Sequence, residues 1–294
     1  MESISLLSNA KINLFFAING IASDSFCNIT SIMAPISFGD NMVFSIKKNR
    51  SIQNPIIKIF QHSSLKFPED NNTITRAIEL FCAWTSIANF SLRIDVKKKI
   101  PIGGGFGGGS SNGVFTLKAL NQLYNFPISE EKLTTLTRKM GTDCSFFIKN
   151  LPQLATDHGD ILTPISTDFH KNLANYFVLI FCPSFFIATD EAYKKFKQKP
   201  FFLQNSPEKV KKIFNEKHFE SLLSNSFQRQ ILDEYAELRT LFNRLHYLDY
   251  FPCITGSGSG CFILHREYDA LEKAQEIIFE QLGFIPLCEI VRFL

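Results

Sequence analysis

Pro101-Ile102-Gly103-Gly104-Gly105-Phe106-Gly107-Gly108-Gly109-Ser110-Ser111 holds six glycines in eleven residues, and Asn112 follows it. Glycine gives up more backbone freedom on folding than any other residue, so a chain that gathers it here needs the main chain itself. Upstream, Phe90-Ser91-Leu92-Arg93-Ile94-Asp95-Val96 alternates apolar and polar residues as a strand does. Downstream, Val114, Leu117, Leu120, Leu123 and Tyr124 recur at helical spacing. A glycine turn feeding a helix offers amide N–H groups at the positive end of a helix dipole, which together bind anions. Ser110 and Ser111 add hydroxyls at the cap. The stretch predicts a phosphate cradle of the kind a nucleotide uses.

Two familiar phosphate motifs do not fit. A Walker A loop ends in Gly-Lys-Ser/Thr, whereas this loop ends in Gly109-Ser110-Ser111-Asn112 with no lysine. A dinucleotide fingerprint can be threaded through Gly103, Gly105 and Gly108, but it needs a βαβ unit with an acidic strand end about 20 residues on. Glu130 and Glu131 lie near that distance and follow Pro127-Ile128-Ser129, which opens a helix instead. A flexible Gly/Ser linker is the remaining plain reading, and linkers rarely sit tightly between a patterned strand and a patterned helix.

The run from Pro101 to Asn112 resembles the ATP loop of the GHMP kinases, the family of galactokinase, homoserine kinase and mevalonate kinase. Three further blocks agree in order: Asn9-Ala10-Lys11-Ile12-Asn13-Leu14-Phe15, Met140-Gly141-Thr142-Asp143-Cys144-Ser145-Phe146-Phe147, and Thr255-Gly256-Ser257-Gly258-Ser259-Gly260-Cys261. The long glycine form resembles one branch, whose acceptor is the 2-hydroxyl of a cytidine-diphosphate-linked methylerythritol in non-mevalonate isoprenoid precursor synthesis. The resemblance implies an α+β GHMP kinase fold. Residues 1–152 would form a ribosomal-protein-S5-domain-2-like ATP-binding domain, and residues 153–294 a ferredoxin-like substrate-binding domain. It also implies ATP and Mg²⁺ as cofactors and a small-molecule substrate carrying a cytidine diphosphate. No metal ligand is assigned among the residues.

Composition bounds the rest. A chain of 294 residues, 45% hydrophobic and 20% charged, has ample core for one large domain or two modest ones. A net charge of +3 is too small to argue for nucleic acid. The seven cysteines (Cys27, Cys82, Cys144, Cys182, Cys253, Cys261 and Cys288) lack metal-type spacing and read as reduced thiols of a cytoplasmic protein. No apolar leader precedes Lys11, and no apolar run reaches the roughly 18–20 residues that span a bilayer. The expectation is a cytoplasmic monomer or homodimer without nucleic-acid or membrane partners.

Strands are expected near Lys11–Phe16, Ile29–Ile36 and Asn41–Lys47, a helix over Thr73–Ser86, an edge strand over Ser91–Val96, and helices from Val114 and from Ser129. This mixture without strict βαβ alternation suggests α+β. The later half offers a buried strand over Tyr176–Cys182, a helix over Thr189–Lys197, and a loop from Pro200 to Pro207. One amphipathic helix over Phe227–Leu245 follows, then a strand over Cys261–Leu264, a helix over Ala270–Leu282 and a strand over Leu287–Phe293.

Kinase chemistry needs held phosphates, compensated charge and a positioned hydroxyl. Asp143, an acid just before an apolar run, suits a proton acceptor, and a surface-turn aspartate is its bland alternative. Lys11 shares one strand face with Asn13 and suits charge compensation, or else lies on a wet strand face. By resemblance, Lys11 and Asp143 are the catalytic pair and Asn13 touches the acceptor. Pro101, Gly103, Gly104, Gly105, Gly107, Gly108, Gly109, Ser110, Ser111 and Asn112 bind ATP. Lys98, within Lys97-Lys98-Lys99, joins them or belongs to a solvated strand end.

For the substrate, relatives carry Asp-Gly-Tyr/Phe-His where this chain has Asp24-Ser25-Phe26-Cys27. Resemblance implies that Phe26 and Tyr193 clamp the cytosine ring and that Thr189 contacts the substrate, with Cys27 standing where relatives have histidine. Gly256, Ser257 and Gly258 would meet the substrate diphosphate, or else form a bare strand-entry bend. Gly159-Asp160 reads as structural. Another GHMP small-molecule kinase and a degenerate nucleotide-binding relative remain the alternatives.

Overall fold

The first long strand sets the frame. In β1 (Glu2–Ile21) residues 3–7 alternate between exposed and partly covered, and from Ser8 to Ile18 every residue is buried. A strand covered on both faces loses its alternation, so Lys11 and Asn13 are carried inside with their apolar neighbours. The structure is a computed structural model describing residues 1–22, 26–202, 207–214, 219–220 and 223–294. The expected loop from Pro200 to Pro207 lies partly outside those residues, as do Asp24 and Ser25.

The chain forms two compact units, each assembled from discontinuous stretches. The first comprises Met1–Ala10, Phe38–Ile102 and Gly107–Asn150, and the second Lys11–Ser37, Gly103–Phe106 and Leu151–Leu294. Both β1 and β2 (Cys27–Lys48) run through the two.

In the first unit β3 (Ile56–Gln61), α1 (Thr73–Thr85), β4 (Phe90–Lys97), α2 (Gly108–Leu123), α3 (Glu130–Arg138) and α4 (Phe146–Lys149) follow in order. The far half of β2 pairs antiparallel with β4, Asn41 opposite Lys97 and Lys48 opposite Phe90. Met42, Phe44 and Ile46 on β2, and Phe90, Leu92, Ile94 and Val96 on β4, make the buried rows. β4 is not an edge strand as expected, because β3 pairs parallel with its other side. The partly covered run Ile56-Ile57-Lys58-Ile59-Phe60-Gln61 lacks a fully buried row, so it carries little pattern. α1 packs along α2, with Thr73 and Met140 pressed against the space beside Gly113.

The second unit holds β5 (Gln153–Asp157), β6 (Ile161–Pro164), α5 (Thr167–Leu173), β7 (Phe177–Cys182), α6 (Thr189–Gln198), α7 (Pro207–Phe214) and β8 (Ser224–Asn225). Then come α8 (Gln228–Glu234), α9 (Ala236–Tyr247), β9 (Cys253–Ile254), β10 (Cys261–His265), α10 (Tyr268–Leu282) and β11 (Leu287–Arg292). β7 pairs antiparallel with β10 and β11, giving a four-stranded sheet in the order β11-β7-β10-β9. The near half of β2 takes β5 antiparallel, and Phe15 and Phe16 of β1 take β8 parallel. Phe16, Ile18, Cys27 and Ile29 thereby join Phe181, Ile263, Leu241, Leu245 and Ile278 in one apolar cluster. The helix expected over Phe227–Leu245 is two helices, broken at Tyr235 (φ −111°, ψ 87°).

Candidate active site

In the first unit the site is built on the start of α2. The helix begins at Gly108 rather than near Val114, so three glycines of the sequence are helical. Its N-cap is Gly107 in the left-handed region (φ 73°), with no side-chain cap and no acid in the first turn. In the same unit α1 is capped by Asn72, which accepts from the amides of Ile74 and Thr75, and α3 by Ser129. The uncapped, uncharged N-terminus of α2 leaves its amides and dipole for an anion.

Neighbouring groups hold this helix start. The buried Asp40 carboxylate accepts from the amides of Lys99 (2.7 Å) and Ile100 (2.9 Å) and from Lys98 Nζ (2.6 Å). Lys98 is therefore a buried partner of Asp40, its side chain 5% exposed, and not a lysine reaching into solvent. Its ammonium still lies 3.2 Å from where a Gly108 side chain would start. Ser111 is buried, its hydroxyl 2.8 Å from that of Ser8. Asn112 is buried too, with Oδ1 unpartnered among the described residues.

Asp143 sits in the first turn of a short 3-10 segment, Thr142–Ser145, that runs into α4. Cys144 beside it is fully buried, and burial pushes its thiol up to about 12 against the opposing pull of a hydrogen bond with Ser110. The Asp143 turn packs against α2. Lys118 on α2 donates to the carbonyl of Phe147 in α4 (2.8 Å), and burial lowers its ammonium to about 8. Met140 and Lys139, just before this turn, line a cavity of about 290 Å³ with Asn71, Asn72, Thr73, Arg76 and Glu79.

In the second unit the two glycine clusters interlock around Lys11. Lys11 is 3% exposed, its Nζ donates to Asn13 Oδ1 (2.5 Å), and its amide donates to Phe106 O (2.9 Å). Thr255 Oγ1 accepts from the Asn13 amide (3.0 Å) and donates to Asn13 Oδ1 (3.3 Å), while Asn13 Nδ2 donates to Ser31 (2.8 Å). The side chain of Asn13 is thus engaged within the protein, where it orients Lys11. Gly260 N donates to Gly104 O (3.1 Å), and a side chain at Gly256 would start 3.5 Å from Lys11 Nζ. Asn225 Nδ2 donates to the carbonyls of Ile254 and Gly256, both at 2.8 Å. The ring of Phe186 fills the space a side chain at Gly103 would take, and Pro101 of the first unit is buried.

The substrate candidates divide. Thr189 and Ser257 come together, hydroxyl to hydroxyl, at 3.0 Å. Phe26 is 63% exposed and stacks on His158. Cys27 is buried in the apolar cluster, so its side chain packs, and burial raises its thiol. Tyr193 is partly buried with its ring edge-on to Phe227.

The family described as "GHMP kinases N terminal domain" matches residues 72–149. The chain is 27% identical over 274 residues to the 4-diphosphocytidyl-2-C-methyl-D-erythritol kinase of Persephonella marina, covering 92% of this chain and 95% of the relative. It is 30% identical over 270 residues to the kinase of the same name from Porphyromonas gingivalis, covering 90% and 93%. The chain belongs to the 4-diphosphocytidyl-2-C-methyl-D-erythritol kinase family, within the GHMP kinases. Its fold matches the crystal structure of a 4-(cytidine 5'-diphospho)-2C-methyl-D-erythritol kinase (TM-score 0.77, 22% identity, 99% of both chains). It also matches the Methanococcus jannaschii mevalonate kinase (TM-score 0.71, 14% identity, 100% and 99%).

Three residues that hold the glycine segments escape the sequence motifs that mark the family. They are Asp40 and Ser8 in the first unit and Asn225 in the second. Only Asp40 carried a signal, as the one acid between Asp24 and Glu69.

Proposed function

We propose that this chain transfers the γ-phosphoryl group of ATP to the 2-hydroxyl of 4-diphosphocytidyl-2-C-methyl-D-erythritol. The observation that carries phosphoryl transfer is the uncapped N-terminus of α2 behind its glycine turn, a main-chain anion site without a Walker lysine. The acceptor is taken from the relatives named above. The acceptor oxygen forms its bond to the γ-phosphorus as the bond to the bridging oxygen breaks, and ADP leaves. The hydroxyl proton passes to the Asp143 carboxylate, and the Lys11 ammonium, steadied by Asn13, offsets charge on the transferring group.

Gly103, Gly104, Gly105 and Gly107 to Asn112 cradle the ATP phosphates, framed by Pro101 and by the Lys98–Asp40 pair. Phe26 and Tyr193 hold the base, and Thr189, Gly256, Ser257 and Gly258 the diphosphate side, with Cys27 packing beneath. The Ser110 hydroxyl, in the first turn of α2, is a hard oxygen donor of the type Mg²⁺ takes. It would hold the ion, which neutralises phosphate charge when bound with ATP. Among the described residues no helix is long and apolar enough to cross a membrane. We read the enzyme as a cytoplasmic monomer or homodimer without a nucleic-acid partner.

Purified protein with ATP, Mg²⁺ and a panel of acceptors tests this. ADP release is expected with 4-diphosphocytidyl-2-C-methyl-D-erythritol. Release with mevalonate or homoserine instead, or with no acceptor at all, overturns the reading. Asp143→Asn should lower kcat by about 10²–10⁴-fold and leave ATP binding intact, and retained turnover would remove Asp143 as the proton acceptor.

A further inference from the structure

We propose that His158 is a positioning residue for base recognition, backing the Phe26 ring so that the phenyl group meets a pyrimidine. This deepens the functional reading above and rests on its cytidine-bearing substrate. Phe26 is a large apolar side chain with 63% of its surface exposed. It stands just before β2, where its carbonyl accepts from the Ala22 amide (2.7 Å). The ring lies on the His158 imidazole, centroids 5.5 Å apart and planes 24° apart, an offset stack.

The placement of His158 is constructed. Pairing of β2 with β5 sets Ile29 opposite Asp157, which brings the β5–β6 turn beside the start of β2. Asp157 (φ 60°) and Gly159 (φ 93°) both take left-handed backbone, and Gly159 N donates to Thr156 O (3.0 Å). A side chain at Gly159 would start 3.0 Å from Ile29 Cδ1 on a backbone at φ 93°, a position that favours glycine. The Asp157 carboxylate lies 3.7 Å from His158 Nε2. Cys27, adjacent in sequence, is turned into the apolar cluster and supplies no polar group at the surface.

A base on a phenyl ring gains contact only if the ring is held, because ordering a loose aromatic side chain on binding costs entropy. A flat, polar imidazole can back the ring at a solvent-facing site without adding a further exposed apolar surface. His158 acts through Phe26 rather than on the base itself.

The test measures ADP release and, separately, binding of cytidine 5'-diphosphate by calorimetry. His158→Ala should raise KM for the acceptor about five-fold, with kcat and the KM for ATP within about two-fold. CDP binding should weaken by the same factor. His158→Phe, which restores a stacking ring, should return both near the unaltered values. Combined with Phe26→Ala, His158→Ala should add nothing. An unchanged acceptor KM in an active His158→Ala enzyme, failure of the phenylalanine variant to rescue, or additivity with Phe26→Ala would each overturn the inference while leaving the kinase reading intact. Absence of both CDP binding and turnover in the unaltered protein overturns the kinase reading and this inference together.

Discussion

A methyl group at Gly105 would collide with the main-chain oxygen of Thr255, on a backbone already at φ 73°. Neither partner can yield, because Thr255 is itself held by Gly260 O through its amide and by Asn13 through its hydroxyl. Gly105→Ala should therefore destabilise the protein by about 3 kcal/mol or more, read from the urea midpoint. Gly109 is the contrast within the same motif. It lies on the exposed side of α2, where an added methyl group would meet nothing within 4 Å and the backbone is not left-handed. Gly109→Ala should leave stability unchanged or raise it by up to about 1 kcal/mol, since alanine favours helix. Its cost should fall on ATP, as a several-fold higher KM. Equal loss of stability in the two variants would contradict this division between a packing glycine and a phosphate-facing one.

At the scale of elements, the approach to the glycine loop depends on one buried ion pair. Asp40, fully buried on β2, ties down Lys98, Lys99 and Ile100 just past the end of β4. Asparagine keeps an oxygen for the two main-chain amides but sets an NH2 group against the buried ammonium, so Asp40→Asn should cost about 3–5 kcal/mol. Adding Lys98→Met to it should recover part of that loss, and equal destabilisation of single and double variants would refute the pair's role. A second lysine governs how α2 meets α4. Lys118 titrates near 8 in the folded protein because burial disfavours its charge, below the ordinary lysine value of 10.5. From about pH 8 to 10.5 the unfolded chain thus holds the proton more tightly, and this residue's contribution to stability rises with pH. It is lost again as pH falls through 8. Compared with Lys118→Met, the unaltered protein should gain stability across that window and differ by a constant below it. A difference flat from about pH 7 to 11 would rule out the buried ammonium as its source.

For the whole molecule, what was legible follows from how each segment is covered. Leu92, Ile94 and Val96 alternate because one face of β4 is buried, and the glycine loop stands out because its function needs bare main chain. The full length of β1 was not legible, since burial on both faces from Ser8 to Ile18 erases the two-residue period. Partnerships such as Asp40 with Lys98, 58 residues apart, or Phe26 with His158, exist only once the sheet has set its register. The same non-local construction governs what can fold. The second unit draws Phe16, Ile18, Cys27 and Ile29 into its apolar cluster, and β5 and β8 pair with β2 and β1. A fragment of residues 153–294 lacks those strands, exposing the apolar side of the cluster, leaving β8 without its partner and β5 with β6 alone. Expressed alone, it should show no cooperative urea transition and should expose apolar surface to a hydrophobic dye. The full chain should unfold cooperatively under the same conditions. A sharp, reversible transition in the fragment would mean that the cluster closes without β1 and β2, and that their register is imposed after the second unit has formed.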